Sequence, residues 1–210
     1  MTQWEYLTAP LLIHNTKQIL DNFGADGWEL VQIVNGPDGT SLVAYFKRPK
    51  SGGARLMSAV EDRLSELGLT VPEVVPPVAA YVPVVREGDL VFTSGQLPMV
   101  DGSLAATGKV GAEVDAETAK SLAETCALNA IAAIKSEVGD LDTVSRVVKV
   151  VGFVASDPSF TGQPGVINGA SELLVKAFGD KGIHARSAVG VSALPLDAPV
   201  EVEVVVSVAR

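Results

Sequence analysis

The sequence predicts an α+β protein in two parts, and three observations carry that reading. A linker signal, Pro49-Lys50-Ser51-Gly52-Gly53, divides the chain. Before it, the apolar pattern fits one strand, one helix and two further strands. After residue 79 it alternates between period two and helical spacing, in the order hairpin, helix, strand, helix, then two strands. The expected organisation is a small βαββ domain over 1–50, a linker and lead-in helix over 51–78, and a larger α+β domain over 79–210.

In the first part, Trp4 to Leu12 reads as a strand and Asn15 as the N-cap of a helix, with Gln18 at capping-box spacing. Leu20 and Phe23 continue that helix's apolar stripe, and Gly24 can close it. Trp28 to Val34 and Ser41 to Lys47 read as strands joined by Asn35-Gly36-Pro37-Asp38-Gly39. Trp28, Leu30 and Val34 are expected on one strand face, and Trp4, Trp28, Tyr45 and Phe46 in the core. His14 has no catalytic partner nearby in sequence.

Met57, Val60, Leu64 and Leu67 then recur at helical spacing until Gly68, and Pro72 to Pro77 cannot extend the helix. The larger domain opens with strands over 79–85 and 90–93, followed by Thr93-Ser94-Gly95-Gln96 at a strand end. Asp101-Gly102 and Thr107-Gly108-Lys109-Val110-Gly111 resemble pieces of a phosphate loop but lack its full spacing. A long helix is predicted from Ala116 to Val138 with Asp115 as N-cap and Cys126 in its buried stripe, then a valine-rich strand from Val144 to Val154. A second helix follows over Gln163 to Phe178. Asn168 lies off its core stripe, at a solvent or subunit-interface position.

The last two strands, His184 to Val191 and Val200 onward, are read as partners across a turn at Leu194-Pro195-Leu196-Asp197. Each carries an ionisable group in apolar sequence, Arg186 and Glu203, and burying either alone would be costly. His184, Arg186, Ala188 and Gly190 share one face of the first strand; Glu201, Glu203, Val205 and Ser207 share one of the second. The two charges read either as an interstrand ion pair or as ligand-facing groups.

Composition narrows the function classes. With 25 acidic and 16 basic residues the net charge is −9, so the average field repels polyanions and nucleic acid is an unfavoured partner. The single cysteine and the absence of a leader pattern before Trp4 point to a cytoplasmic protein, and no apolar run reaches membrane-span length. Two histidines without clustered ligand spacing argue against a metal site. A valine-rich sheet face left uncovered by two helices predicts burial in an oligomer.

Two resemblances add to this. Trp4-Glu5-Tyr6, Gly24 through Val31 and Tyr45-Phe46-Lys47-Arg48 resemble DUF4177, a family of small domains with no assigned chemistry. From about residue 79, the ordered set Tyr81, Thr93-Ser94-Gly95-Gln96-Leu97-Pro98, Asn168, Ala185-Arg186-Ser187, Leu194-Pro195 and Val202-Glu203-Val204 resembles the reactive-intermediate (imine) deaminases, also labelled YjgF or L-PSP endoribonuclease-like.

The second resemblance implies a chorismate-mutase-like fold, a barrel-type homotrimer and clefts between subunits. It implies metal-free, cofactor-free hydrolysis of 2-enamine or 2-imine acids such as 2-aminoacrylate to 2-keto acids and ammonia. Arg186 aligns with the arginine that holds the substrate carboxylate, Glu203 with the glutamate that orients water, and Gly95 with a backbone contact to ligand. Tyr81 and Asn168 would line the cleft, and His184 and Ala188 are further candidates for its wall. Ala188 stands where relatives often carry cysteine, which removes thiol chemistry from the expected mechanism. Val78-Ala79-Ala80 replaces the usual glycine-proline approach to Tyr81.

A non-catalytic module that binds a small carboxylate is the alternative from a different class, and endoribonuclease activity is third. The segment 1–50 is expected to direct assembly or recruit an enzyme partner.

Overall fold

A computed structural model describes residues 4–11, 16–25, 27–36, 41–49, 58–74 and 80–209. His14, the Asn15 cap, the 37–39 part of the first turn, the linker glycines and the run through Pro77 lie outside the described residues. The chain divides into two compact units, Met1–Leu56 and Met57–Arg210.

In the first unit β1 (Trp4–Leu11), α1 (Thr16–Ala25), β2 (Glu29–Asn35) and β3 (Leu42–Pro49) form a three-stranded sheet in the order β1-β3-β2 with one helix. Both pairings are antiparallel. Ala9, Leu11, Ala44 and Phe46 are buried, packed with Ile19, Leu20, Phe23 and Trp28. The Phe23 and Phe46 rings lie 4.6 Å apart.

Two expectations for this unit need correction. The β2–β3 register steps between Leu30 and Gln32, so Leu30 pairs with Phe46 while Val34 pairs with Val43, on the opposite face. The extra residue of a bulge reverses the alternation on which the one-face reading depended. Trp4 and Tyr45 are also exposed, at 37% and 44%, and the Trp4 ring is covered by the Lys47 ammonium at 4.4 Å.

The second unit begins with α2 (Ala59–Glu66). Ser58 and Glu61 form a capping box, and Val60 and Leu64 face the core. Its sheet runs in the order β4-β5-β10-β8-β9, with β4 (Val84–Glu87), β5 (Leu90–Thr93), β8 (Val144–Ala155), β9 (Ala185–Val191) and β10 (Val200–Val208). A two-residue turn at Asp101-Gly102, both with positive φ, joins the short strands β6 (Met99–Val100) and β7 (Ser103–Leu104). The strand expected over 79–85 is displaced in the structure, running from Val84 to Glu87. Pro83, immediately before it, has no N–H for a ladder.

The two long helices, α3 (Ala116–Val138) and α4 (Gln163–Phe178), pack on the sheet and on each other. Asp115 accepts the Thr118 backbone N–H at 2.9 Å and Gly139, with φ 75°, closes α3. Where the helices meet, a Cβ at Gly169 would stand 1.9 Å from the Lys120 carbonyl oxygen, so glycine sets the approach. Along β10, Val200, Val202, Val204 and Val206 are fully buried on the helix side. Cys126 is fully buried among them, and burial, with the Glu201 charge adding to it, pushes its thiol pKa well up.

The opposite sheet face is open. Val85, Leu90, Phe92 and Val189 are 37–50% exposed on it, alongside Glu201 and Glu203.

Candidate functional site

The last two strands are not partners. β9 pairs in parallel with β8, and β10 pairs antiparallel with β8 and β5, so β8 lies between the two strands expected to form a hairpin. The crossover through α4 makes β8-α4-β9 a parallel unit, which places β9 at the sheet edge. In register, Arg186 stands opposite Val150, beside Val204, on the helix side; Glu203 stands opposite Val151, beside Ser187, on the open side. Within one chain Arg186 and Glu203 point away from each other, and the interstrand ion pair does not form.

Arg186 is instead held by neutral acceptors on α4. Its Nη1 donates to Asn168 Oδ1 at 2.8 Å and to Ser171 Oγ at 3.2 Å, and its Nη2 donates to the Pro164 carbonyl at 3.2 Å. Asn168 and Ser171 lie three residues apart, so α4 presents both on one flank. Among the described residues no carboxylate lies within ion-pair distance of Arg186. Three of its five N–H groups are thereby engaged, leaving Nε–H and one Nη2–H for an anion. His184 joins this cluster through Ser171, its Nε2 lying 2.9 Å from the serine oxygen.

A second cluster forms where the β5–β10 ladder is interrupted. Thr93 Oγ1 accepts the Val204 N–H at 3.0 Å, and backbone pairing resumes between Gln96 and Val202. Ser94 and Gly95 lie in the gap. The Ser94 hydroxyl donates to the Val82 carbonyl at 2.7 Å, which ties the gap to the segment carrying Tyr81, itself 44% exposed. A Cβ at Gly95 would fall 1.6 Å from Glu201 Oε1, so the Glu201 carboxylate rests against this glycine. Burial raises the Glu201 pKa and the neighbouring Glu203 charge raises it further; burial alone raises that of Glu203.

The structure therefore sorts the expected residues into two groups. Arg186, Asn168 and His184 gather on the edge flank, Gly95 and Glu203 lie toward the open face, and Tyr81 is exposed on the segment before β4 that Ser94 holds through Val82. Ala188 packs against the core from β9, opposite Gly152. Sequence reasoning missed Ser171 and Glu201. The spacing of Asn168 and Ser171 on a helix was a usable signal for the first, and the shared strand face of Glu201 and Glu203 for the second. Cavities of about 520 Å³ beside Asn129 and about 390 Å³ beside Arg63 contain none of the expected residues. Among the described residues no group of three or more potential metal-ligating side chains occurs, and no helix is long and apolar enough to cross a membrane.

A family model described as "YjgF/chorismate_mutase-like, putative endoribonuclease" matches residues 61–207. The chain belongs to the YjgF/chorismate-mutase-like family. Protein TCP17 of Trypanosoma cruzi is 43% identical over 148 residues, covering 70% of this chain and 92% of that protein. A RutC family protein of Haemophilus influenzae is 31% identical over 128 residues, covering 61% of this chain and 86% of that one. A crystal structure of a protein of unknown function from Agrobacterium tumefaciens superposes with a TM-score of 0.68 at 47% identity, covering 72% of this chain and 93% of that one. The YjgF match begins within α2, so the first unit lies outside it.

Proposed function

We propose that this YjgF-family chain hydrolyses reactive 2-imine and 2-enamine acids, such as 2-aminoacrylate, to 2-keto acids and ammonia, in clefts formed between copies of a homotrimer. The observation that carries the reading is Arg186, an arginine with two N–H groups to spare and no carboxylate among its described neighbours. Its planar donor edge suits a substrate carboxylate, and its neutral partners leave its charge uncompensated.

The chemistry needs little more than placement. The enamine tautomerises to the imine, whose carbon is electrophilic; water adds there, and the carbinolamine loses ammonia to leave the keto acid. Glu201 takes the proton from the attacking water and returns it to the departing nitrogen. Its raised pKa brings it closer to the working pH, which favours exchange in both directions. Glu203, expected from the sequence to orient the water, supports this as the like charge that keeps the Glu201 carboxyl basic. Gly95 leaves room for that carboxylate, and the exposed Tyr81 is proposed to line the same cleft.

Because Arg186 and Glu201 belong to opposite sheet faces of one chain, a single substrate is served by Arg186 of one copy and Glu201 of another. Exposed Val85, Leu90, Phe92 and Val189 support burial of the open face between copies. The ribonuclease reading fits poorly with a net charge of −9. For the first unit we propose recruitment of the enzyme that releases the intermediate; a pull-down with residues 1–50 removed should lose that enzyme.

The function is tested with 2-aminoacrylate generated in place by a pyridoxal-phosphate dehydratase. Added protein should accelerate ammonia and pyruvate release, and Arg186→Ala should lose about 100-fold or more of kcat/KM, given the worth of a charged bidentate contact. Binding of a keto acid without any acceleration would instead support a carboxylate-binding module.

A further inference from the structure

The hydrogen bonds around His184 have only one consistent direction when its ring is neutral. Nδ1 lies 2.6 Å from the Gly182 carbonyl, which only accepts, so Nδ1 carries the proton. Nε2 is then an acceptor, and the Ser171 hydroxyl 2.9 Å away donates to it. That commitment turns the serine lone pairs toward Arg186, whose Nη1 donates to Ser171 Oγ at 3.2 Å. The chain of donors runs from Arg186 to Ser171 to His184 to Gly182.

A second proton on the imidazole reverses the middle link. Nε2–H then competes as a donor toward Ser171, the hydroxyl proton must turn elsewhere, and two cations share one small acceptor. The other charged groups on the surrounding elements are already engaged or turned away. Lys181, in the turn before β9, donates to the Asp142 and Val144 carbonyls. Glu172 on α4 is paired with Lys120, and Lys149 on β8 donates to Ser187 on the other sheet face. Asp180 lies in the cavity wall with Arg63, and Lys176 is an exposed residue near the end of α4. Arg186 is the charged group that shares a hydrogen-bond partner with His184.

We infer that His184, acting through Ser171, is a positioning residue that fixes the pose of Arg186 and loosens it when the imidazole is protonated. The inference rests on the carboxylate-clamp role given above to Arg186. Protonation of His184 would then weaken substrate capture, and the cleft would release carboxylates more readily.

The test is ¹⁵N NMR of the full chain, following the Arg186 Nε–H from about pH 7.5 to about pH 5.5, the range in which histidines gain a proton. The signal is assigned by its loss in Arg186→Lys. It should move in step with the His184 ring resonances and stay still in both His184→Gln and Ser171→Ala. A shift that persists in His184→Gln, or an Arg186 signal that ignores the His184 titration in the unaltered chain, overturns the inference. Turnover is not needed for this readout, so failure of the deaminase reading would appear separately, as absence of keto-acid product. Where turnover is measured, the rise of KM on acidification should be several-fold larger in the unaltered chain than in His184→Gln; an equal rise in the variant contradicts the inference.

Discussion

The Glu201 carboxylate rests against Gly95 so closely that a methyl group on the glycine would overlap its Oε1. That contact exists because β5 stops pairing with β10 at Thr93 and resumes only at Gln96, leaving Ser94-Gly95 bowed out beside the acid. A side chain at residue 95 and the observed pose of Glu201 are mutually exclusive.

Gly95→Ala should therefore displace the carboxylate while sparing the fold, because the atom in the way is the end of a flexible side chain. The expected loss is about 100-fold in kcat, the lower range for a misplaced acid–base group, with a thermal midpoint close to that of the unaltered chain. Paired melting and ammonia-release measurements separate the two effects. Unchanged turnover would remove Glu201 from the mechanism.

Glu201→Gln tests the same group from the side of stability. A carboxyl whose pKa is raised by folding contributes most at low pH, and that contribution is lost as pH rises from the unfolded pKa through the folded one. Thermal melts should show the unaltered chain losing stability across that interval, and Glu201→Gln losing less. The variant should also melt no lower than the unaltered chain at neutral pH while its turnover collapses. Identical pH profiles would argue that Glu201 is not burdened by burial.

Much of this fold was legible because its helices are punctuated chemically. Asp115, Gly139 and Gly179 fix the ends of α3 and α4 where the sequence placed them. The order of strands was not legible in the same way. Nearness along the chain suggested that β9 and β10 pair, whereas the crossover through α4 carries β9 to the far side of β8. The choice between Glu201 and Glu203 was hidden for a related reason. Both occupy one strand face, and only the interruption at Ser94-Gly95, a tertiary feature, decides which of them meets the glycine. Arg186 was visible as a misplaced charge, but Ser171 acquires meaning only once α4 lies beside β9.

Gly169→Ala should cost about 1–3 kcal/mol, the usual penalty for overpacking, because the obstruction is the Lys120 backbone and not a movable side chain. Gly165→Ala on the same helix, where a Cβ meets nothing within 4 Å, should leave stability within about 0.5 kcal/mol or raise it slightly. Chemical denaturation of the two variants checks the comparison.

In a shared site, Arg186 and Glu201 should come from different copies of the chain. Arg186→Ala and Glu201→Gln chains, each inactive, should be unfolded together and reassembled in equal amounts. If each site of a cyclic assembly takes one residue from each of two neighbours, about a quarter of the sites in the mixture regain both native groups. Turnover should recover to about that fraction of the unaltered chain's; a reassembled mixture no more active than either variant alone would rule out a site shared between copies.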